Sequence, residues 1–408
     1  MGMIMKQLFY GIAALLAFLM TASCTKQDDI YQEWVKEGGY TYPAKSAKIS
    51  TVVGYCQMTL SWNKPKDPAV KTAKVFWDNY SDSLLLDYSS FPEGIVTVTV
   101  PDLDERSYTF EVVNYDANGN RSLPAEVVAT PYGKTWFSTK KERFVVDPRM
   151  NGKDAVIVMN DPKSANADQH NDPELVATKF RYRNGAGEWT ELEGTMDPAS
   201  KSITFPDALE GKYFEFRSAY KKTGAVDTVW RENWVKSGIP ILYRLHTEGW
   251  TVACTTGQTL NAASGPENIF DGIIDANHRY HSSNASNRTA FPKILAIDTH
   301  SEAGKEPTFT GFRFHRNPVM NRRYINHLYL YIGNAPYDPD EPKPLDAFGT
   351  PSINNTQLYW SEQAAWRGIA RKTGSCIGIV FTDSRNTRYG YIDLWELEVW
   401  GFIAAEAD

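Results

Sequence analysis

The sequence has 408 residues and a formal net charge of −6, and 42% of its residues are hydrophobic. This length predicts two or three domains with packed cores, and the lack of a long basic run argues against nucleic acid as the main partner. Aromatic residues make up 13% of the chain, including 22 Tyr and 12 Trp, and this enrichment favours β-strands.

The N-terminus has the pattern of an export signal. Lys6 supplies a positive charge and Leu8–Met20 form an apolar run, which is short for a membrane span but suits a signal peptide. The stretch "MTASC" resembles a bacterial lipobox, which implies a signal peptide at residues 1–23 and lipidation of Cys24. An ordinary signal peptide with a chance cysteine is the alternative. The following "TKQDD" resembles the signal of Bacteroidetes lipoproteins on the outer face of the outer membrane, which predicts cell-surface exposure.

Residues 24–45 are polar and predict a tether, and a β pattern follows over residues 46–133. "CQMTLSW", "IVTVTV" and "YTFEVV" alternate apolar and polar residues with a period of two. Turn sequences such as "NKPKDP" and "DANGN" separate these runs. The segment resembles a fibronectin type III module, which implies a core tryptophan at Trp62 and a tyrosine corner formed by Leu103 and Tyr108.

Residues 134–240 resemble a second, more divergent copy of this module. "DAVIVMNDP" corresponds to "MTLSWNKP", and "ITFPDALEGKYFEFRSAY" corresponds to "VTVPDLDERSYTFEVVNY". Two such sandwiches in tandem also resemble the N-terminal region of Bacteroidetes lipoproteins, where they are expected to act as spacers.

Apart from Cys24, the cysteines are odd in number and far apart, at positions 56, 254 and 376. Zinc ligands would need closely spaced pairs, and the sequence has none. A disulfide between Cys254 and Cys376 and a set of buried free thiols are both compatible with this spacing.

Residues 241–403 predict a β-sandwich of the jelly-roll type. Six strand-like runs, among them "KILAIDTH", "FTGFRFHR" and "SCIGIVFTDS", are separated by long loops. Four ordered pieces, "ENIFDGIIDANHRYHSS", "FPKILAIDT", "FTGFRFHRNPVMNRRYINHLYLYIG" and "YIDLWELEVWG", resemble the discoidin or coagulation factor 5/8 type C family. That family includes the bacterial family 32 carbohydrate-binding modules.

The resemblance implies a structural calcium ion that ties the loop containing Asp271 and Gly272, here called the Asp-Gly loop, to the last strand. By position, Asp271 and Glu396 would supply carboxylates and Asn268 a carbonyl oxygen. His278 stands near the usual position of a threonine ligand, and imidazole suits calcium poorly; Asp275 would compensate. A loop held by ordinary hydrogen bonds is the alternative.

The resemblance also implies a glycan site. Polar side chains would hold sugar hydroxyls and an aromatic ring would cover the C–H face of the sugar. His281, Arg316 and Asn321 match the family positions, and Tyr389 is the aromatic candidate, with Trp360 or Trp366 as alternatives. Each of these residues also has an ordinary structural interpretation.

The strand–loop–strand at residues 313–323 contains several more cations, among them Arg313 on the solvent side and Arg322 and Arg323 in the loop. Guanidinium groups match the geometry of carboxylate or sulfate, so we expect Arg322 to help bind an anionic glycan. A solvated basic face is the alternative.

The sequence contains none of the GxSxG, HExxH or P-loop motifs, and the three predicted sandwiches use the whole chain. We therefore expect no catalysis. The sequence predicts a surface lipoprotein that captures polysaccharide through its C-terminal module. An adhesin or envelope assembly protein that binds a protein partner, and a purely structural component, are the alternatives.

Overall fold

A computed structural model describes residues 42–164, 166, 170–256, 264–275, 277–282, 291–316, 325–341, 349–358, 362, 364–384 and 392–408. Within them the protein consists almost entirely of antiparallel strands, which confirms the predicted all-β class. The predicted lipidation site Cys24 lies outside the described residues, as do Asn321, Arg322 and Tyr389 of the predicted glycan site. In the described part of the chain, no helix is long and apolar enough to cross a membrane.

The chain forms two compact units. Of the described residues, those from 42 to 139 and from 223 to 227 form unit 1, and those from 140 to 222 and from 228 to 408 form unit 2. The short segment 223–227 is fixed within unit 1 by Asp227, whose carboxylate accepts hydrogen bonds from the Tyr55 amide at 2.7 Å and the Gln57 side chain at 2.9 Å.

Unit 1 is a sandwich of a three-stranded sheet, β1-β2-β5, and a four-stranded sheet, β4-β3-β6-β7. Its elements are β1 (Ala47–Gly54), β2 (Gln57–Asn63), β3 (Val70–Trp77), β4 (Asp82–Asp87), a 3₁₀ turn (Tyr88–Ser90), β5 (Ile95–Val100), β6 (Tyr108–Asp116), β7 (Ala125–Ala129) and helix α1 (Lys134–Ser138).

The period of two explains why these segments form strands around one core. In β2, Met58, Leu60 and Trp62 are buried, whereas the residues between them are partly exposed. At the start of β6, the Tyr108 hydroxyl accepts a hydrogen bond from the Asp104 amide at 3.0 Å. This bond fixes the preceding loop to the strand, as expected of a tyrosine corner.

The first part of unit 2 is a second sandwich with the sheets β12-β9-β8 and β11-β10-β13-β14, in which β15 also pairs with β13. Its strands are β8 (Val145–Asn151), β9 (Asp154–Met159), β10 (Leu175–Arg183), β11 (Trp189–Glu191), β12 (Ser202–Phe205), β13 (Glu215–Tyr220), β14 (Val229–Trp230) and β15 (Val235–Lys236). Its core is aromatic, with Tyr182 stacked on Phe205 at 4.5 Å between ring centroids.

The rest of unit 2, the terminal module, has a four-stranded sheet, β16-β26-β20-β23, a five-stranded sheet, β17-β19-β24-β21-β22, and the short pair β18-β25. Its elements are β16 (Tyr243–Arg244), β17 (Thr251–Cys254), a 3₁₀ helix (Pro266–Phe270), β18 (Tyr280–His281), β19 (Lys293–Asp298), β20 (Pro307–His315), β21 (Ile325–Gly333), β22 (Ile353–Gln357), β23 (Ala364–Thr373), β24 (Cys376–Ser384), β25 (Asp393–Leu394), β26 (Glu396–Ile403) and a 3₁₀ turn (Ala404–Glu406).

The two large sheets of the terminal module share one apolar core. Phe312 and Leu397 from one sheet pack in the same cluster as Leu295 and Ile379 from the other. The cysteines at positions 56, 254 and 376 are free thiols. Strands β20 and β24 end, and β19, β21 and β26 begin, at one end of the module; we call this the loop end.

Candidate functional site

The short pair of strands β18 and β25 places His281 at the loop end. His281 lies opposite Asp393 in this ladder, and the next residue, Ser282, extends the pairing because its hydroxyl accepts a hydrogen bond from the Ile392 amide at 2.9 Å. The loops on either side of these strands are therefore joined through paired backbone.

The next pair of strands places Arg316 on the other side of the same segment. His315 is opposite Glu396 in the β20–β26 ladder, and its carbonyl oxygen accepts a hydrogen bond from the Trp395 amide at 2.9 Å. Residues 393–396 thus pair with His281 on one side and with the residue before Arg316 on the other. The structure brings these two predicted site residues to the same end of the module.

Both residues are buried, with His281 and Arg316 each only 2% exposed. The Arg316 guanidinium donates hydrogen bonds to the carbonyl oxygens of Leu358, at 3.3 Å, and Glu362. Arg316 therefore holds the connection between β22 and β23 against the end of β20. Asn321, Arg322, Arg323, Trp360 and Tyr389 lie outside the described residues, so their predicted roles stay predictions.

Other ionisable side chains are buried at the same end. Asp393 is 1% exposed and lies 3.7 Å from the Arg279 guanidinium. Lys293, at the start of β19, is fully buried, and burial lowers the pKa of its ammonium to about 8. The sequence analysis did not identify these residues, because neither their sequence neighbours nor their spacing marks them as buried.

Glu396 joins the Asp-Gly loop to the last strand, as the family resemblance implies for this position. One carboxylate oxygen accepts a hydrogen bond from the Gly272 amide at 3.2 Å, and the other is paired with the Arg244 guanidinium. The carboxylate is fully buried. Burial raises the pKa of Glu396 to about 7, although Arg244 and the Gly272 amide oppose this shift.

The other predicted calcium ligands bond to their own loop. The Asp271 carboxylate accepts a hydrogen bond from the Ile273 amide at 2.8 Å, and the Asn268 side chain donates to the Arg279 carbonyl oxygen at 3.2 Å. Asp275 is paired with His278 at 3.0 Å and also accepts hydrogen bonds from backbone amides. The hydrogen bonds from backbone amides and from the His278 side chain lower the pKa of Asp275.

This arrangement does not fit a calcium ion held by all four predicted residues. Calcium takes about six to eight oxygen ligands, among them carboxylates, but one carboxylate oxygen of Glu396 is paired with Arg244, and Asp271 and Asp275 accept hydrogen bonds from amides of their own loop. Among the described residues, no group of three or more His, Cys, Asp or Glu side chains is arranged to hold a metal ion.

A second polar cluster lies on the outer face of the sheet β16-β26-β20-β23. Glu398 is paired with Arg313 and with His315, each at 3.0 Å, and accepts a hydrogen bond from the Trp400 indole at 3.2 Å. Burial would raise the pKa of Glu398, but these hydrogen bonds and the charge of Arg313 outweigh it and lower the pKa to about 2. Arg313 therefore faces outward, as its alternation with buried phenylalanines predicts.

Trp366, one of the alternative aromatic residues for the glycan site, belongs to this outer face. It lies opposite Arg313 in the β20–β23 ladder, and its ring meets that of Trp400 edge-on at 6.2 Å between centroids. Arg244 and Glu398, which organise this face, were not predicted, since only long-range strand pairing brings them next to their partners.

The chain belongs to the family DUF4998, described as a domain of unknown function, which matches residues 24–229. No curated protein sequence matches the chain. The matched stretch ends before the terminal module, so the family match says nothing about the role of that module.

Solved structures with some similarity include the family 32 carbohydrate-binding module from C. perfringens NanJ in complex with galactose (14% identity, TM-score 0.31, 39% of this chain and 99% of that chain). A fragment of a putative chitobiase from Bacteroides thetaiotaomicron is 18% identical, with a TM-score of 0.31 over 39% of this chain and 93% of that chain. A SusE-like protein is 9% identical, with a TM-score of 0.30 over 87% of this chain and 97% of that chain.

Proposed function

We propose that this protein is a non-catalytic cell-surface lipoprotein that binds glycans at the loop end of its terminal module. The observation that carries the proposal is that residues 393–396 bring His281 and Arg316 together at the end where the loops emerge. A β-sandwich with polar side chains gathered at one end offers a rigid frame for loops that bind a ligand.

In this proposal His281 and Arg316 are positioning residues, because both are buried and Arg316 already donates to two carbonyl oxygens. Asn321 and Arg322 would contact the sugar, with Tyr389 covering its C–H face. Arg322 would favour an anionic glycan such as a uronic acid, since a guanidinium matches the geometry of a carboxylate.

The proposal places the lipid anchor at Cys24 on the outer membrane, with the two sandwiches as spacers and the terminal module as the binding part. It is supported by the match to the family, which begins at Cys24, the predicted first residue of the mature chain. Mass spectrometry of the membrane-extracted protein tests the anchor, and an unacylated N-terminus upstream or downstream of Cys24 would contradict it.

Glycan binding is tested by isothermal titration of the mature chain carrying Cys24→Ser, with galactose and galacturonate as probes. We expect millimolar to micromolar binding, with galacturonate preferred, and loss of at least tenfold in affinity in Asn321→Ala and Arg322→Ala. Arg371→Ala, on an exposed part of β23, is the matched control and should bind as the wild type does. Unchanged binding in both loop variants would overturn the proposed site.

A further inference from the structure

Unit 2 contains a cleft between its two sandwiches, next to the outer face of the β16-β26-β20-β23 sheet. The cleft has a volume of about 530 Å³, which is within the range of small-molecule sites. One wall is the β8–β9 hairpin of the second sandwich, and the other is the outer face of the β16-β26-β20-β23 sheet. Its polar lining includes Arg149, Glu210, Arg244, Arg313, Glu398 and Trp400.

The two walls are held in place by backbone hydrogen bonds. The Met150 amide donates to the Leu242 carbonyl oxygen at 2.8 Å, and the Leu242 amide donates to the Pro148 carbonyl oxygen at 2.8 Å. The Gly211 amide adds a third bond, to the Ile241 carbonyl oxygen at 2.9 Å. A cleft with fixed walls is preorganised, so a ligand loses less free energy in ordering it.

Three guanidinium groups line the cleft, and each forms an ion pair with an acid through one of its nitrogens. Arg149 pairs with Asp147 at 2.8 Å, Arg313 pairs with Glu398 at 3.0 Å, and Arg244 pairs with Glu396. The three side chains are 27%, 35% and 42% exposed. Each guanidinium carries five N–H donors, so donors beyond these ion pairs are available to a ligand.

The charges on the cleft argue against an anionic ligand. Two acids, Glu398 and Glu210, line the cleft beside the three arginines, and Glu210 is paired with His246 at 2.7 Å. Arg149 and Arg244 are already paired with Asp147 and Glu396. An anion would therefore meet carboxylates in the lining and arginines that already have acidic partners. A sugar hydroxyl, by contrast, both donates and accepts, and therefore matches guanidinium and carboxylate groups placed side by side.

An aromatic wall completes the cleft. Trp400 lines it, and the Trp366 ring supports Trp400 edge-on. The Arg149 guanidinium stacks over Trp366 at 4.1 Å, which fixes the arginine between the two sandwiches. Trp400 is half-buried, and the Arg149 and Arg313 guanidinium groups lie 5.7 and 5.9 Å from its ring centroid. An indole edged by such polar groups suits the C–H face of a pyranose ring.

We infer that this cleft is a second saccharide site, for a neutral pyranose unit. It shares the ligand class of the proposed function but none of the residues proposed to contact the sugar there, Asn321, Arg322 and Tyr389, so the two sites can fail independently.

The test uses isothermal titration of the mature chain carrying Cys24→Ser, with galactose, glucose, mannose and N-acetylglucosamine as probes. Arg149→Gln removes one set of donors, and Asn151→Trp, at an exposed position of the lining, fills the cleft. The matched control is Arg181→Gln, because Arg181 has the same surroundings: an acid, Glu215, and a tryptophan, Trp234, at 4.8 Å.

We expect at least one neutral sugar to lose tenfold or more in affinity in both cleft variants and to bind Arg181→Gln, Asn321→Ala and Arg322→Ala as it binds the wild type. If every neutral sugar that binds is lost only in Asn321→Ala and Arg322→Ala, the cleft is rejected and the proposed function stands. The cleft is also rejected if none of the four neutral sugars produces heat, whereas galacturonate binding still tests the loop end. Thermal unfolding of every variant within a few degrees of the wild type establishes that the fold is intact.

Discussion

The first sandwich and the terminal module bury polar side chains of different kinds. In the first sandwich these groups are neutral: the Trp62 indole donates to the Tyr88 hydroxyl at 3.0 Å, and that hydroxyl donates to the Asn114 side chain at 2.7 Å. Ser46 donates to the same Asn114 oxygen at 3.2 Å. A neutral network with these bonds satisfied is compatible with a purely structural role.

The terminal module instead buries ionisable groups, and it does so at the loop end. Lys293, Arg316, Asp393 and Glu396 are each at most 2% exposed. Apolar residues of similar volume are often at least as stabilising as buried ion pairs, so stability alone does not account for these charges. This difference between the two regions is the one expected if the loop end, rather than the first sandwich, is the proposed binding site.

Among the substitutions that test this difference between the two regions, we expect Arg244→Met to have the largest effect on the free energy of unfolding. The substitution leaves the buried Glu396 carboxylate without its cation and should lower the free energy of unfolding by about 3–4 kcal/mol at pH 8. The folded-state pKa of Glu396 is about 7, above its ordinary value, so the stability linked to its proton is full in acid and is lost as the pH rises through about 7. The loss should therefore be smaller at pH 5 than at pH 8, which urea unfolding at both values measures.

Two further variants control this experiment. Arg371→Met removes an exposed arginine whose guanidinium donates to the carbonyl oxygen of the exposed Gly238 at 3.1 Å, and it should change the unfolding free energy by less than about 0.5 kcal/mol. Arg244→Met combined with Glu396→Leu removes both charges and should recover part of the stability. An equal loss for Arg244→Met at pH 5 and pH 8 would show that Glu396 does not change its protonation state between these pH values in the folded protein.

For Glu398, on the outer face of the terminal module, we expect stability to depend on pH in the opposite direction. The folded-state pKa of Glu398 is lowered to about 2, so its contribution is present above the unfolded pKa and disappears as the pH falls through about 2. Glu398→Gln should cost about 2–3 kcal/mol at pH 7, somewhat less than the full shift converts to, because glutamine retains an acceptor. Thermal unfolding of both proteins between pH 2 and pH 7 measures this, and parallel curves over the whole range would contradict it.

For the neutral network around Asn114 in the first sandwich, we expect a loss of stability that does not depend on pH. Asn114→Ala removes the acceptor shared by Tyr88 and Ser46 and should cost about 1–2 kcal/mol. Burial raises the pKa of Tyr88 above its ordinary value, so none of these groups titrates between pH 5 and pH 8 and the cost should be the same at both. Asn118→Ala, in the exposed turn after β6, is the control. A pH-dependent cost for Asn114→Ala would remove the distinction between the two regions.

The sequence predicts the fold class well because strand alternation is a local property. The run "QMTLSWN" has alternating polarity, and the structure buries alternate residues of β2 accordingly. The order of the family motifs likewise points to His281, which ends β18, and Arg316, which follows β20, both at the loop end.

The cleft could not be predicted in this way. Arg149 and Arg244 are far apart in the sequence, and the contact of Arg149 with Trp366 depends on how two sandwiches pack. Burial of Arg316 also depends on a long-range contact, with the β22–β23 connection. Local patterns identify the residue types, whereas long-range packing decides which of them are buried and which are exposed.

The smallest expected effect is that of calcium removal. A bound ion present at a hundredfold excess over its Kd would add about 2.7 kcal/mol, which corresponds to several degrees in Tm. Because the Arg244 guanidinium already neutralises Glu396, we expect EDTA and calcium to give the same Tm for the wild-type protein within about 1 °C.

Arg244→Met sharpens this test, because it frees the Glu396 carboxylate next to Asp271 and the Gly272 amide. If a guanidinium stands where related modules are expected to hold a cation, calcium should raise the Tm of Arg244→Met more than that of the wild type. A Tm increase of several degrees in the wild-type protein would instead mean that calcium displaces Arg244 from Glu396. The Asp-Gly loop would then be joined to the last strand by a metal ion rather than by the hydrogen bond from the Gly272 amide to Glu396.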